Sequence, residues 1–301
     1  MINFVLIGIC IIAGMLFRRS GALPNDAHKG INGWILYVAL PAVCFKYIPH
    51  IKWNKELIFP AVGPIIVWAG GWLAATVYAT TQKADRFTKA GLKLTIGLSN
   101  TSFIGFPLII AYFNEQAIST AIICDQVTFM LLSTVGIVTA MRAAGKDVVT
   151  PKIVVKRLFK FPPFLACILA LIIPYFADLH FAEPLFDKLA GTVGPLALFS
   201  IGLQLKFKGI RKQMKALSLG VFYKLLIAPL LVLVLALIVG FKGQSAHITI
   251  FEAAMPTLLT AGVVADEYEL NPGMSNLVIG ITIILSFITT VFWYFIIQRL
   301  I

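Results

Sequence analysis

Nine consecutive residues, Ser99 to Pro107, read SNTSFIGFP and put four polar side chains, a glycine and a proline into an otherwise apolar run. A second segment, Glu252 to Thr257, reads EAAMPT and sets a carboxylate four residues before a proline. A proline cannot donate to the carbonyl four residues back, and its ring pushes that carbonyl away. Pro107 is therefore expected to free Phe103, and Pro256 to free Glu252 itself. Gly105 removes the steric bar to unwinding. The chemistry on offer is recognition rather than bond breaking. Asn100, Thr101, Ser102 and Thr257 place donors and acceptors beside loosened backbone, and Glu252 adds charge. Broken backbone at 103–107 and 252–256 is the expected binding site, to be completed by protein, water or a ligand.

Three charges fall deep inside apolar runs: Asp125 beside Gln126, Lys224, and Glu252. Each costs roughly 2.5–3.5 kcal/mol at the centre of a membrane helix, so a functional role is the default explanation. Asp125 and Glu252 are the candidates for reversible protonation or for ligating a cation. Lys224 either snorkels out along its stem or is locked in a static ion pair with one of these carboxylates, Asp125 or Glu252. Catalysis finds little support. His28, His50, His180 and His247 all lie in loops or at the ends of apolar runs, where none is placed for base chemistry at depth or for ligating a metal. Cys10, Cys44, Cys124 and Cys167 have no pairing or metal spacing and read as small buried hydrophobes.

These residues need membrane helices to position them. Charges cut the chain into ten apolar stretches, near 2–17, 31–48, 57–80, 94–113, 117–141, 161–177, 189–205, 216–240, 246–265 and 274–298. Most approach the ~20 residues of a spanning helix. They are too long and too evenly apolar for barrel strands. Composition agrees: of 301 residues 59% are hydrophobic and 13% charged, with a mean hydropathy of +0.92, which excludes soluble enzymes, disordered chains and secreted disulfide scaffolds. The first stretch lacks a basic leader region, so it reads as a span rather than a cleaved signal. The acidic segment Asp266 to Pro272 is expected to cap the end of the ninth span.

The net charge of +12 is a property of loops, since no basic stretch carries the interleaved aromatics of a nucleic-acid module. Alternate loops carry 18 and 6 Lys and Arg residues, which places both termini outside the plasma membrane. Ten spans are also two sets of five: 1–141 as a first repeat, 142–157 as a basic cytoplasmic linker, and 158–301 as a second repeat. An odd number of spans per half makes the second repeat inverted. Pro41 with Phe45 corresponds to Pro195 with Phe199, and Pro107 to Pro256, at offsets of 154 and 149. Matched interruptions in spans four and nine fit two crossed broken helices, whose N-terminal ends favour an anion and whose C-terminal ends favour a cation. The predicted fold is an all-α membrane protein with two inverted five-helix repeats.

Several of these motifs resemble the auxin efflux carrier family, which includes plant PIN-type auxin exporters and bacterial dicarboxylate carriers. The resemblance rests on GIN at Gly30 to Asn32 with Pro41 and Phe45, on Asn100, Thr101, Gly105 and Pro107, and on AAMP at 253–256 followed by Ala265, Glu267, Tyr268 and Pro272. It implies a scaffold of spans one, two, six and seven and a mobile unit of spans three to five and eight to ten. It further implies a homodimer carrying a small organic anion by an elevator movement. Asn100 and Gln126 match positions that contact substrate in the plant branch, and Cys44 stands where a small polar residue is common. The long hydrophilic central loop of the plant carriers is missing. Glu252 resembles the carboxylate that helps hold sodium in the related bile-acid symporters, so Na+ or H+ enters as a coupling ion. The expected function is a secondary carrier of a small carboxylate, with a bile-acid-type symporter or a channel or sensor as the alternatives.

Overall fold

The computed structural model describes residues 2–24, 26–51, 54–145, 152, 155, 159, 161–204 and 213–301. Most of the linker expected at 142–157 lies outside them. All ten apolar stretches are helical. Eight contain helices that match their limits closely: Ile2–Ser20, Ala27–His50, Lys55–Thr81, Glu115–Ala143, Pro162–Tyr175, Val193–Gln204, Met214–Val239 and Pro272–Leu300. The other two are split, into Arg86–Gly97 and Thr101–Tyr112, and into Gln244–Ala253 and Leu259–Glu267. Among the described residues five helices are long and apolar enough to cross a bilayer: Ala27–His50, Lys55–Thr81, Glu115–Ala143, Met214–Val239 and Pro272–Leu300.

Proline acts differently from the expectation at Pro107. Three prolines follow a π-helical segment whose middle residue is the one four positions back. Pro41 follows Ile35–Ala39, centred on Tyr37; Pro107 follows Thr101–Gly105, centred on Phe103; Pro229 follows Tyr223–Ile227, centred on Leu225. Widening the helix by one residue relieves the clash without breaking the rod. The Leu225 carbonyl freed in this way accepts a hydrogen bond from Trp293 Nε1 at 2.7 Å. The break in the fourth stretch comes earlier, at residues 98–100, where the backbone is extended. The second break, at 254–258, does surround its proline.

The chain divides into two compact units. The first comprises Met1–Asn54, Ser102–Ile122 and Val155–Leu205. Within it, helix Ile2–Ser20 lies along Val193–Gln204, with Gly14 and Gly202 so close that a Cβ on either would strike the opposite backbone. Pro162–Ile172 packs on Leu40–Tyr47, and Ser200 Oγ donates to Asn32 Oδ1 at 2.6 Å.

The second unit comprises Lys55–Thr101, Ile123–Val154 and Lys206–Ile301. Helix Ile58–Thr81 packs on Arg86–Gly97 and on Gln244–Ala253, and Met214–Phe222 packs on Pro272–Leu300. An apolar cluster that includes Leu94, Leu98, Leu132, Ile137, Leu258 and Ala261 joins both interrupted helices to the Glu115–Ala143 helix. Asn271, in the left-handed region at φ 50°, accepts from Met274 N through its side chain. Leu270 N donates to the Ala265 carbonyl at 2.8 Å with Glu269 at φ 54°, so the acidic segment closes the end of the ninth stretch as expected, and with Pro272 at the first helical position it caps the start of the last helix as well.

Candidate functional site

The two breaks meet inside the second unit. Asn100 N donates to the Pro256 carbonyl at 2.8 Å, and Leu258 N donates to the Leu98 carbonyl at 3.0 Å. Together they form an isolated antiparallel bridge between Ser99 and Thr257. Because the hydrogen bonds are made by the residues on either side, Ser99 and Thr257 are a directly opposed, non-hydrogen-bonded pair whose side chains share one face. Each extended stretch thus satisfies part of the other's backbone, which membrane depth requires. Thr257 N finds its partner in Thr282 Oγ1 at 3.3 Å.

Charged and polar side chains gather on this crossing. Lys224 Nζ donates to Ser99 Oγ at 2.7 Å and to the Ala253 carbonyl, at the end of helix Gln244–Ala253, at 3.0 Å. Lys224 has no solvent exposure. It neither snorkels out nor spends these bonds on Asp125 or Glu252, as the sequence had suggested, because a terminal carbonyl and a hydroxyl lie within its reach. Asp125 Oδ1 accepts from Thr101 Oγ1 at 2.6 Å, which ties the Glu115–Ala143 helix to the first residue after the break. Glu252 is buried beside this network and feels the charges of both Asp125 and Lys224.

Three side chains here keep buried polar atoms without a hydrogen-bond partner among the described residues: both amide atoms of Asn100, both carboxylate oxygens of Glu252 and Oγ1 of Thr257; Oε1 of Gln126, next to Asp125 in sequence, is likewise unpaired. An unpaired buried polar group costs about 1–3 kcal/mol, more if charged, so such a concentration marks a place that something else completes. The backbone of Glu252 is another matter. Its carbonyl, expected to be free, accepts from Met255 N at 3.2 Å as the helix end tightens. Only its side chain is left to bind.

The second unit thus brings together Asn100, Thr101, Asp125, Gln126, Glu252, Pro256 and Thr257. Ser102, Gly105, Pro107 and Cys44 are buried in the first unit. There Cys44 Sγ lies 3.5 Å from the Pro163 carbonyl and 3.3 Å from Cys167 Sγ. Two residues of the crossing escaped the sequence reading as site residues. Ser99 stood inside the polar cluster and could have been included. Thr282 is one of several hydroxyls in the last helix, and nothing in its surroundings singles it out.

Residues 3–294 match the family described as Membrane transport protein. An uncharacterized transporter of Methanothermobacter thermautotrophicus is 25% identical over 291 residues, covering 95% of this chain and 94% of the relative. A protein of Rhizobium meliloti provisionally named a malonate transporter is 25% identical over 293 residues, covering 93% and 90%. Auxin efflux carrier component 6 of Arabidopsis thaliana is 31% identical over 101 residues, 33% of this chain and 18% of the plant protein.

Proposed function

The chain belongs to the Membrane transport protein family, the family of the auxin efflux carriers, and on that premise we propose that it is a secondary active carrier of a small carboxylate. The observation that carries this reading is the crossing. Two interrupted helices meet at buried backbone, and Asn100, Thr257 and Glu252 leave polar atoms unpaired there, as Gln126 does next to Asp125 in sequence. The amide of Asn100 suits a carboxylate or carbonyl oxygen, and the helix begun at Leu259 offers its positive end to an anion. The name of the Rhizobium relative supports an organic anion as cargo.

In this reading ten spans form two inverted repeats with both termini outside. Spans one, two, six and seven serve as the scaffold of a homodimer, and spans three to five and eight to ten form the mobile unit of an elevator. Glu252, with Asp125 beside it, compensates the charge of the cargo by taking a proton or Na+. An ionised carboxylate with no donor is expensive in a dry interior, so it needs such a partner at some stage of the cycle.

The test is counterflow in proteoliposomes with a panel of mono- and dicarboxylates, malonate among them, under imposed Na+ and pH gradients. Saturable exchange of at least one carboxylate is expected. Glu252→Gln should keep exchange while losing its response to the ion gradient. No exchange with any member of the panel rejects the carrier reading, and unchanged gradient dependence in Glu252→Gln rejects the coupling role.

A further inference from the structure

Lys224 lies in the second unit wholly removed from solvent, and the carrier reading gives it no task. Its position is fixed from both sides. Tyr223 Oη donates to the Val67 carbonyl at 2.6 Å, and the Leu225 carbonyl accepts from Trp293 Nε1 at 2.7 Å, so the neighbours before and after it in sequence are both tied to other helices. The ammonium is thereby delivered to two oxygens, Ser99 Oγ from one broken helix and the Ala253 carbonyl from the other.

Those oxygens have a distinctive chemistry. The Ala253 carbonyl closes helix Gln244–Ala253, where terminal carbonyls carry partial negative charge. Ser99 adds a hydroxyl, and the next residue back along the helix, Glu252, adds a carboxylate whose charge acts on Lys224. Asp125 acts in turn on Glu252. A hydroxyl, a helix-end carbonyl and nearby carboxylates are the hard oxygen donors that a small cation takes from interrupted membrane helices. An alkali ion and the lysine ammonium cannot hold the same two oxygens at once.

We propose that Lys224 is a resident cation which fills the position at the crossing that a coupling Na+ would otherwise take, so that the transport cycle runs without Na+. This rests on the carrier reading and narrows it. One fixed positive charge acts on Glu252, on which Asp125 acts in turn, and a tethered cation takes the place of a mobile Na+. Compensation of the second carboxylate is left to a proton.

The test compares the unfolding temperature of the purified full chain in NaCl and in choline chloride at equal ionic strength. The wild type should show no difference. Lys224→Gln, which vacates Ser99 Oγ and the Ala253 carbonyl, should gain a saturable Na+-dependent rise of about 3 °C. A wild type stabilised by Na+ overturns the proposal, and so does a folded Lys224→Gln that is indifferent to Na+. Should that variant not be recovered folded, wild-type counterflow decides. Equal rates in Na+ and choline support the resident cation, and a several-fold gain in Na+ overturns it. The unfolding measurement needs no transport, so absence of counterflow with every carboxylate would sink the carrier reading alone.

Discussion

Asp85 closes the first turn of helix Arg86–Gly97, accepting at 2.8 Å from the backbone of Phe87 and Thr88 and from Thr88 Oγ1. The Thr88 N–H above all holds its carboxyl below the usual carboxylate range. A lowered carboxylate pKa means that the cap is fully in place above the ordinary value and is lost as pH falls through the folded one. Asp85→Ala should cost about 1 kcal/mol at neutral pH. The gap in unfolding temperature between variant and wild type should close in acid, and a gap that stays constant with pH would contradict the capping role. The same attention to single residues explains what could be read at the crossing. Asn100, Thr101 and Glu252 were legible because polar groups inside apolar stretches are costly and therefore informative. The Glu252 carbonyl as a free acceptor was misjudged, because the tight turn that re-pairs it depends on how the helix ends, which proline spacing alone does not encode.

Among the elements, the two interrupted helices depend on close backbone contact as much as on hydrogen bonds. Gly71 sits where a Cβ would lie 2.7 Å from Gly97 Cα and 2.9 Å from Gly97 N, immediately before the first break. Backbone cannot move aside as a side chain can. Gly71→Ala should therefore destabilise by about 1–3 kcal/mol through overpacking, read as a lower unfolding temperature. An unchanged unfolding temperature would mean that the two helices can part without penalty. Helix limits were legible almost throughout, since charge and hydropathy mark where a rod leaves the apolar phase. The exact site of unwinding was not. Pro107 and Pro229 are each absorbed by a π-helical segment, whereas the chain opens at Leu98–Asn100, where no proline stands within four residues. What opens it there is the pairing with 256–258, a contact between residues about 160 positions apart in sequence that helical periodicity does not record.

For the whole molecule, charge asymmetry carries the orientation. The side that collects 18 of the Lys and Arg residues is expected to face the cytoplasm. In a background lacking the native cysteines, Ala177→Cys should react with an impermeant maleimide on intact cells, and Ala144→Cys only after permeabilisation. The reverse pattern would turn the chain over. The grouping into units was beyond the reach of patterning. The first unit draws on three separate segments, Met1–Asn54, Ser102–Ile122 and Val155–Leu205, and divides the fourth stretch at Thr101 and the fifth at Ile122. Hydropathy tells which residues avoid water without telling which helix each will touch.

The pairing of Ser99 with Thr257 gives the crossing a register, as in any ribbon. Neighbouring residues along such a ribbon look in opposite directions, so a slip of one place exchanges the faces. Adding a single residue between Leu98 and Ser99 would turn the Ser99 hydroxyl away from Lys224 and swing the Asn100 amide toward it, with every side chain still present in the protein. This stretch should therefore be more sensitive to a change of length than to most changes of letter.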